Sequence, residues 1–238
     1  MLITCPTFLI LNVVKHLSDR MKRILIIIPI IILTMGFSLF NKQSKEEKFW
    51  NWYSKNQETY YTEIENLEIR ERIFNELSME LKKVHSDLVF EFSPIQENKI
   101  REFTVSAEGI KELFPIVKNL IEKAPKIDKW KFNAFRQRVP GDDFEIQYGD
   151  FKIGYSDIYF RFQDGEYGKI GIELNIRDYN GEGQTQNAIY ILLDGLIGEY
   201  DITMGLDWIE WVKLDESKIE ELNPITSLRT LIDQKKND

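Results

Sequence analysis

The pattern of apolar and polar positions divides the chain near residue 41. Residues 24–40 form a run of seventeen positions without a charge, dominated by Ile and Leu. As a helix this run spans about 25 Å, a little short of a hydrocarbon core of about 30 Å. Lys22, Arg23 and Lys42 have side chains long enough to close the difference by reaching toward the headgroups. An earlier apolar stretch, residues 2–14, is too short to cross. Residues 41–48 are polar and read as a linker. The period then becomes helical: Phe49, Trp50, Trp52 and Tyr53 open an aromatic-rich helix, and Ile69, Ile73, Phe74, Leu77 and Leu81 predict a second over residues 67–84. Leu88, Phe90 and Phe92, followed after a polar turn at residues 94–98 by Phe103 and Val105, alternate as two strands. Ile110, Leu113, Phe114, Val117, Leu120 and Ile121 form a helical stripe with Pro115 inside it, which predicts a kink or a restart there.

Beyond residue 125 the pattern turns to strands, over residues 130–138, 144–148, 151–154, 157–163 and 169–177, with Gly149-Asp150 and Asp164-Gly165 as turns. In the last pair, Ile158, Phe160 and Phe162 face one side together with Ile170, Ile172, Leu174 and Ile176. Tyr159, Arg161, Gln163, Glu173, Asn175 and Arg177 face the other. That alternation predicts an antiparallel sheet with one wet face. Residues 188–197 are apolar nearly all round and predict a buried helix. Trp208, Ile209, Trp211 and Val212 supply a last strand, and residues 224–236 a terminal helix. The order predicts an α+β fold, a largely antiparallel sheet with helices packed on one face, as a single domain over residues 49–238.

Charge sharpens the division. Residues 1–48 hold seven Lys/Arg against three Asp/Glu, a net +4, and the remaining 190 residues hold 24 against 36, a net −12. A body so acidic is unsuited to nucleic acid, whose affinity rests on neutralising phosphates. Lys15, Arg20, Lys22 and Arg23 precede the apolar run, while Lys42, Lys45 and Lys48 are interleaved with Glu46 and Glu47. The basic cluster places the amino end inside and the body outside the cytoplasm, as a single-pass membrane protein anchored by residues 24–40. The alternative is a secretory signal, cleaved to release a secreted or periplasmic body, although no A-x-A sequence is present. Met21-Lys22-Arg23 reads as a start of its own, with residues 1–20 as a non-native extension. A single cysteine, Cys5, excludes an internal disulfide, and two histidines leave little for a His-based metal site. No cofactor or metal is expected.

Five phrases stand together: Phe49-Trp50-x-Trp52-Tyr53, Ser106-Ala107-Glu108-Gly109, Ala124-Pro125 ahead of Trp130, Ala134-Phe135-Arg136-x-Arg138, and Leu193-Asp194-x-x-x-Gly198-Glu199-Tyr200-Asp201. In order and spacing they resemble an uncharacterised family of bacterial α+β proteins, a domain of unknown function, over about residues 49–215. The resemblance implies a bacterial origin and a fold. It carries no activity, cofactor or catalytic residue.

Candidate chemistry is sparse. On a strand over residues 130–138, Arg136 and Arg138 share a face with Trp130, Phe132 and Ala134. Two guanidinium groups there suit a carboxylate or phosphate, but an arginine leaving an apolar strand needs a partner merely to be tolerated, and Asp194 or Glu199 fits that role. Asp194, Glu199 and Asp201 group three carboxylates, the material for a cation site or an acid–base pair, without the spacing of a calcium loop. Tyr159, Arg161, Glu173 and Arg177, with Asn175, form either a recognition surface or a plain solvated face. Gly181-x-Gly183 lacks the rest of a phosphate loop, and His85 reads as a surface residue. The functional expectation is a membrane-tethered, non-enzymatic interaction module. The alternatives are a hydrolase or metal-dependent enzyme built on those carboxylates and arginines, and an immunity or antitoxin-like protein whose acidic surface covers a basic partner.

Overall fold

The computed structural model describes residues 43–236, apart from 149 and 150. The apolar run 24–40, the extension before it and the turn expected at Gly149-Asp150 lie outside the described residues. Among the described residues no helix is long and apolar enough to cross a membrane.

Helix α1 (Lys45–Glu63) starts four residues ahead of the aromatic cluster, inside the stretch read as linker. Glu46 and Glu47 in its first turn suit the positive end of a helix dipole, which explains why a charged segment joins the helix. Phe49, Trp50, Tyr53 and Tyr60 are its buried face. Helix α2 (Leu67–Lys82) is opened by Asn66, whose side chain accepts from the Glu68 N–H at 3.1 Å, and it buries Ile73, Leu77 and Leu81. Strand β1 (Val89–Phe92) pairs antiparallel with β2 (Arg101–Ser106). A 3₁₀ turn at Lys111–Leu113 then leads into α3 (Phe114–Glu122), with Pro115 in its first turn. There a missing N–H costs nothing, so the stripe restarts instead of kinking. Helix α3 carries the chain back to β3 (Trp130–Ala134), which lies parallel beside β2.

After a hairpin of β4 (Glu145–Tyr148) and β5 (Phe151–Gly154), the same path is traced again. Strands β6 (Ile158–Asp164) and β7 (Ile170–Ile176) pair antiparallel. Helices α4 (Gly183–Ile197) and α5 (Glu199–Gly205) cross over, and β8 (Leu206–Lys213) returns parallel beside β7. The short β9 (Asn223–Pro224) pairs with the other side of β6, and α6 (Leu228–Lys235) follows. Each half is therefore an antiparallel pair extended by a parallel strand through a helical crossover, the connection that parallel neighbours require.

The mixed α and β character with antiparallel-rich sheets is as expected; the single largely antiparallel sheet is not. The described strands form sheets of order β1-β2-β3 and β8-β7-β6-β9 plus the β4-β5 hairpin, with two of the six pairings parallel. Alternation reports which face a residue takes, not the direction of its neighbour. Two hydrophobic cores result. The first gathers the buried residues between Phe49 and Phe135, around Phe103 and Val105 of β2. The second gathers those between Ile153 and Ile232, around Ile172, Leu174 and Ile176 of β7. Trp50 ties α1 to α3, its indole N–H donating to the Leu120 carbonyl at 2.6 Å.

The wet face of the second sheet is drier than alternation suggests. Asn175 is buried, Glu173 and Tyr159 are half-buried, and only Arg161 and Gln163 at the β6 end stand clear. The indole of Trp208 lies over Gly171, where a Cβ would come within 1.9 Å of the ring. Phe162, expected inward, is 44% exposed; it lies two residues from the end of β6, beside the turn that joins β6 to β7. The expected turn at Asp164-Gly165 is longer than two residues. It includes a 3₁₀ turn at Glu166–Gly168, with Tyr167 almost fully exposed at φ 57°.

Candidate functional site

A cleft of about 1370 Å³ opens between the outer face of the first sheet and the helix α4 with the start of β8. Its geometry begins at Phe135. The strand expected over residues 130–138 ends at Ala134, because Phe135 takes a left-handed conformation (φ 68°) and turns its ring into the first core, 4.3 Å from that of Phe114. Arg136 and Arg138 thus do not share the strand face of Trp130 and Phe132. They lie on the segment that crosses to the second half.

Three phrases distant in sequence meet there on one carboxylate. Glu199, only 2% exposed, accepts from the Ala107 N–H at 2.9 Å and the Gly109 N–H at 3.2 Å through Oε1, and from the Arg136 N–H at 3.1 Å through Oε2. Its own N–H donates to the Arg136 carbonyl at 3.1 Å. A buried carboxylate is tolerated when backbone donors replace water in this way. The approach requires Gly198, whose φ is 87° and whose Cβ would stand 3.3 Å from the Arg136 carbonyl oxygen.

The Arg136 guanidinium faces three carboxylates, those of Glu91, Glu108 and, at 3.3 Å, Asp194. Burial works against its charge, but the bonds and charges of Glu91 and Glu108 outweigh it and hold Arg136 above the usual guanidinium range. For Asp194 the balance runs the other way. Burial pushes its carboxyl up to about 7, opposed by Arg136 and reinforced by the charges of Glu199 and Glu91. One cation cannot neutralise three anions. Arg138 is differently placed: it donates to the Ile197 carbonyl and pairs with Asp201 and Asp233, each at 2.9 Å, while Lys236 also reaches Asp201. The hydrogen bond that Arg138 donates to Asp233 leads the effects that raise it, with burial opposing and Asp201 adding.

The three candidate carboxylates therefore do not converge on one point. Asp194 faces Arg136, as anticipated; Glu199 binds backbone amides instead of a guanidinium; Asp201 faces Arg138 and Lys236. Among the described residues no group of three or more His, Cys, Asp or Glu is placed to hold a metal ion. On the second sheet Arg161 stands opposite Glu173 in the register and pairs with Glu221, while Arg177 pairs with Asp157 and Glu216. These residues stand outside the cleft. His85 follows the last turn of α2, half-buried, and its Nδ1 accepts from the Asp87 N–H.

The opposite wall is apolar. Helix α4 turns Ala188, Ile189, Leu192, Leu193 and Leu196 into the second core, and Asn187, Tyr190, Ile191 and Asp194, at helical spacing, toward the cleft. Tyr190 and Ile191 are 43% and 45% exposed, and Trp208 and Val139, which also line the cleft, 42% and 41%. The helix expected to be buried all round is buried on one face only. Its surplus apolar face was visible as a pattern too wide for one core, and it is the signal that marks the cleft; of the partners of Arg136, Glu108 stood only inside a quoted phrase and Glu91 carried no signal. Neither a protein-family model, nor a curated protein, nor a solved structure matches the chain.

Proposed function

We propose that the chain is a binding module, tethered to a membrane by residues 24–40, whose recognition surface is the cleft rather than the polar sheet face. The observation that carries this reading is the helix face of Tyr190 and Ile191. Large apolar side chains are left in solvent at a concave site, where exposed apolar surface marks interaction. The fully engaged arginines favour binding over chemistry: Arg138 is spanned by two aspartates, and Arg136 by three carboxylates. The phrases that resemble an uncharacterised bacterial family fit this picture, since three of them supply the junction at Glu199. The tether and the location of the body outside the cytoplasm rest on the sequence of residues 1–48. An alkaline wash of membranes that releases the unprocessed chain overturns the tether and leaves the cleft untouched.

The test of the module uses the full chain in its native membrane, with a photo-crosslinking side chain at 191 or, as a control on the sheet face, at 163. A discrete adduct from 191, lost on Tyr190→Ser and absent from 163, is the expected result. Equal labelling from both positions, or none from 191, overturns it.

One observation favours a second reading, catalysis in the same cleft. A carboxyl near pH 7 is suited to exchange protons with a substrate. Among the carboxylates near it, Glu199 is committed to amides, Asp201 to cations, and Glu91 and Glu108 to Arg136. Turnover of an ester, glycoside or phosphoester by the full chain, lost in Asp194→Asn, replaces the binding reading with this one.

A further inference from the structure

We infer that the cleft takes an extended polypeptide segment in which Lys or Arg side chains alternate with aliphatic or aromatic ones, the cations entering the carboxylate cluster around Arg136 and the apolar side chains lying on Tyr190, Ile191 and Val139. The inference rests on the binding-module reading and names the chemistry of its partner.

Three features of the site select this occupant. The first is size: at about 1370 Å³ the cleft exceeds the ~300–1000 Å³ of small-molecule pockets and suits a run of residues. The second is the apolar wall. A purely polar cation gains nothing from the half-exposed Tyr190, Ile191 and Val139, whereas covering them removes apolar surface from water. The third is charge. The cleft is lined by Glu91, Glu102, Glu108, Asp194, Glu199 and Asp207 against Lys131, Arg136 and Arg138. Lys131 is taken by Glu102 and Arg138 by Asp201 and Asp233, so among the described residues Arg136 alone answers Glu91, Glu108 and Asp194. A nucleic acid or an acidic peptide meets repulsion there, and a cationic segment meets unanswered charge.

Asp194 gives the contact a signature that simple attraction to an acidic surface lacks. The groups facing it are Arg136 on the segment after β3, Glu91 on β1 and Glu199 on α5, with Glu108 after β2 reaching the same guanidinium. In the free chain Asp194 holds its proton up to about pH 7. An incoming ammonium or guanidinium favours the ionised form, so binding expels that proton. Affinity therefore rises as pH increases through 7, and the rise belongs to Asp194.

The test uses the full chain in phosphatidylcholine nanodiscs and three fluorescein-labelled hexapeptides, (Lys-Leu)₃, (Lys-Ser)₃ and (Glu-Leu)₃, followed by anisotropy at pH 6 and pH 8. Expected are binding of (Lys-Leu)₃ that strengthens about threefold or more at pH 8, binding of (Lys-Ser)₃ at least tenfold weaker, and none of (Glu-Leu)₃. Tyr190→Ser with Ile191→Ser, both at solvent-facing positions, weakens (Lys-Leu)₃ about tenfold, and Asp194→Asn levels the pH dependence. Equal binding of (Lys-Leu)₃ and (Lys-Ser)₃, or binding indifferent to the wall variant, reduces the effect to general attraction and overturns the inference; so does the absence of (Lys-Leu)₃ binding. An acidic or uncharged partner captured at position 191 leaves the module standing and overturns this inference alone.

Discussion

Glu199 is held by three backbone N–H groups and lies out of water, so removing it strands three donors at once. Glu199→Ala is expected to lower stability by about 3–5 kcal/mol, and Glu199→Gln by about 1–2 kcal/mol because one acceptor oxygen remains. Urea unfolding of the two variants measures both. Asp194 makes the opposite kind of statement. The folded chain keeps its carboxyl protonated up to about pH 7, whereas an unfolded aspartate releases its proton near ~4. The stabilisation from this group is thus complete below about pH 4 and is lost as pH rises through 7. Asp194→Asn removes that loss, so its Tm gains on the parent between pH 5 and pH 8; a constant difference over that window refutes the shift. At Gly171 space decides. A methyl group there runs into the Trp208 indole, so Gly171→Ala costs about 1–3 kcal/mol, and Trp208→Ala in the same chain recovers part of it.

At the scale of elements, periodicity located nearly every helix and strand, and tertiary contacts set their ends. The β3 strand stops early because Phe135 is worth more in the first core than as another rung, which moved Arg136 and Arg138 off the face that alternation assigned them. Helix α5 escaped notice because its seven residues, beginning at Glu199, are too few to show a period and are held by the Glu199 bonds. Helix α4 was legible in kind but not in placement. Its width of apolar surface exceeded what one core needs, and only the packing shows which side is left over. The tie between α1 and α3 belongs to this scale as well. Trp50→Phe preserves the ring contacts and loses the bond to Leu120, an expected cost of about 1–2 kcal/mol in thermal or urea unfolding.

For the molecule as a whole, the two cores have no buried residue in common, and the junction of Glu199 with Ala107, Gly109 and Arg136 is a polar link between them. Trp50, Trp52 and Trp130 report on the first core, Trp208 and Trp211 on the second half. Single-tryptophan reporters in either half are expected to unfold together in the parent and at separate denaturant concentrations in Glu199→Ala. Coincident transitions in both chains show that the junction does not couple the halves. The candidate site was half legible for a related reason. The quoted phrases contain its carboxylates and arginines, but their partners come from β1, β2 and the far end of the chain, and sequence does not announce who meets whom across so many intervening residues. Every buried member of the first core precedes residue 136. During synthesis at ~5–20 residues per second, that half has all its interior several seconds before Glu199 leaves the ribosome. Whatever handles the nascent chain in that interval meets one finished body whose amides at Ala107, Gly109 and Arg136 still await their anion.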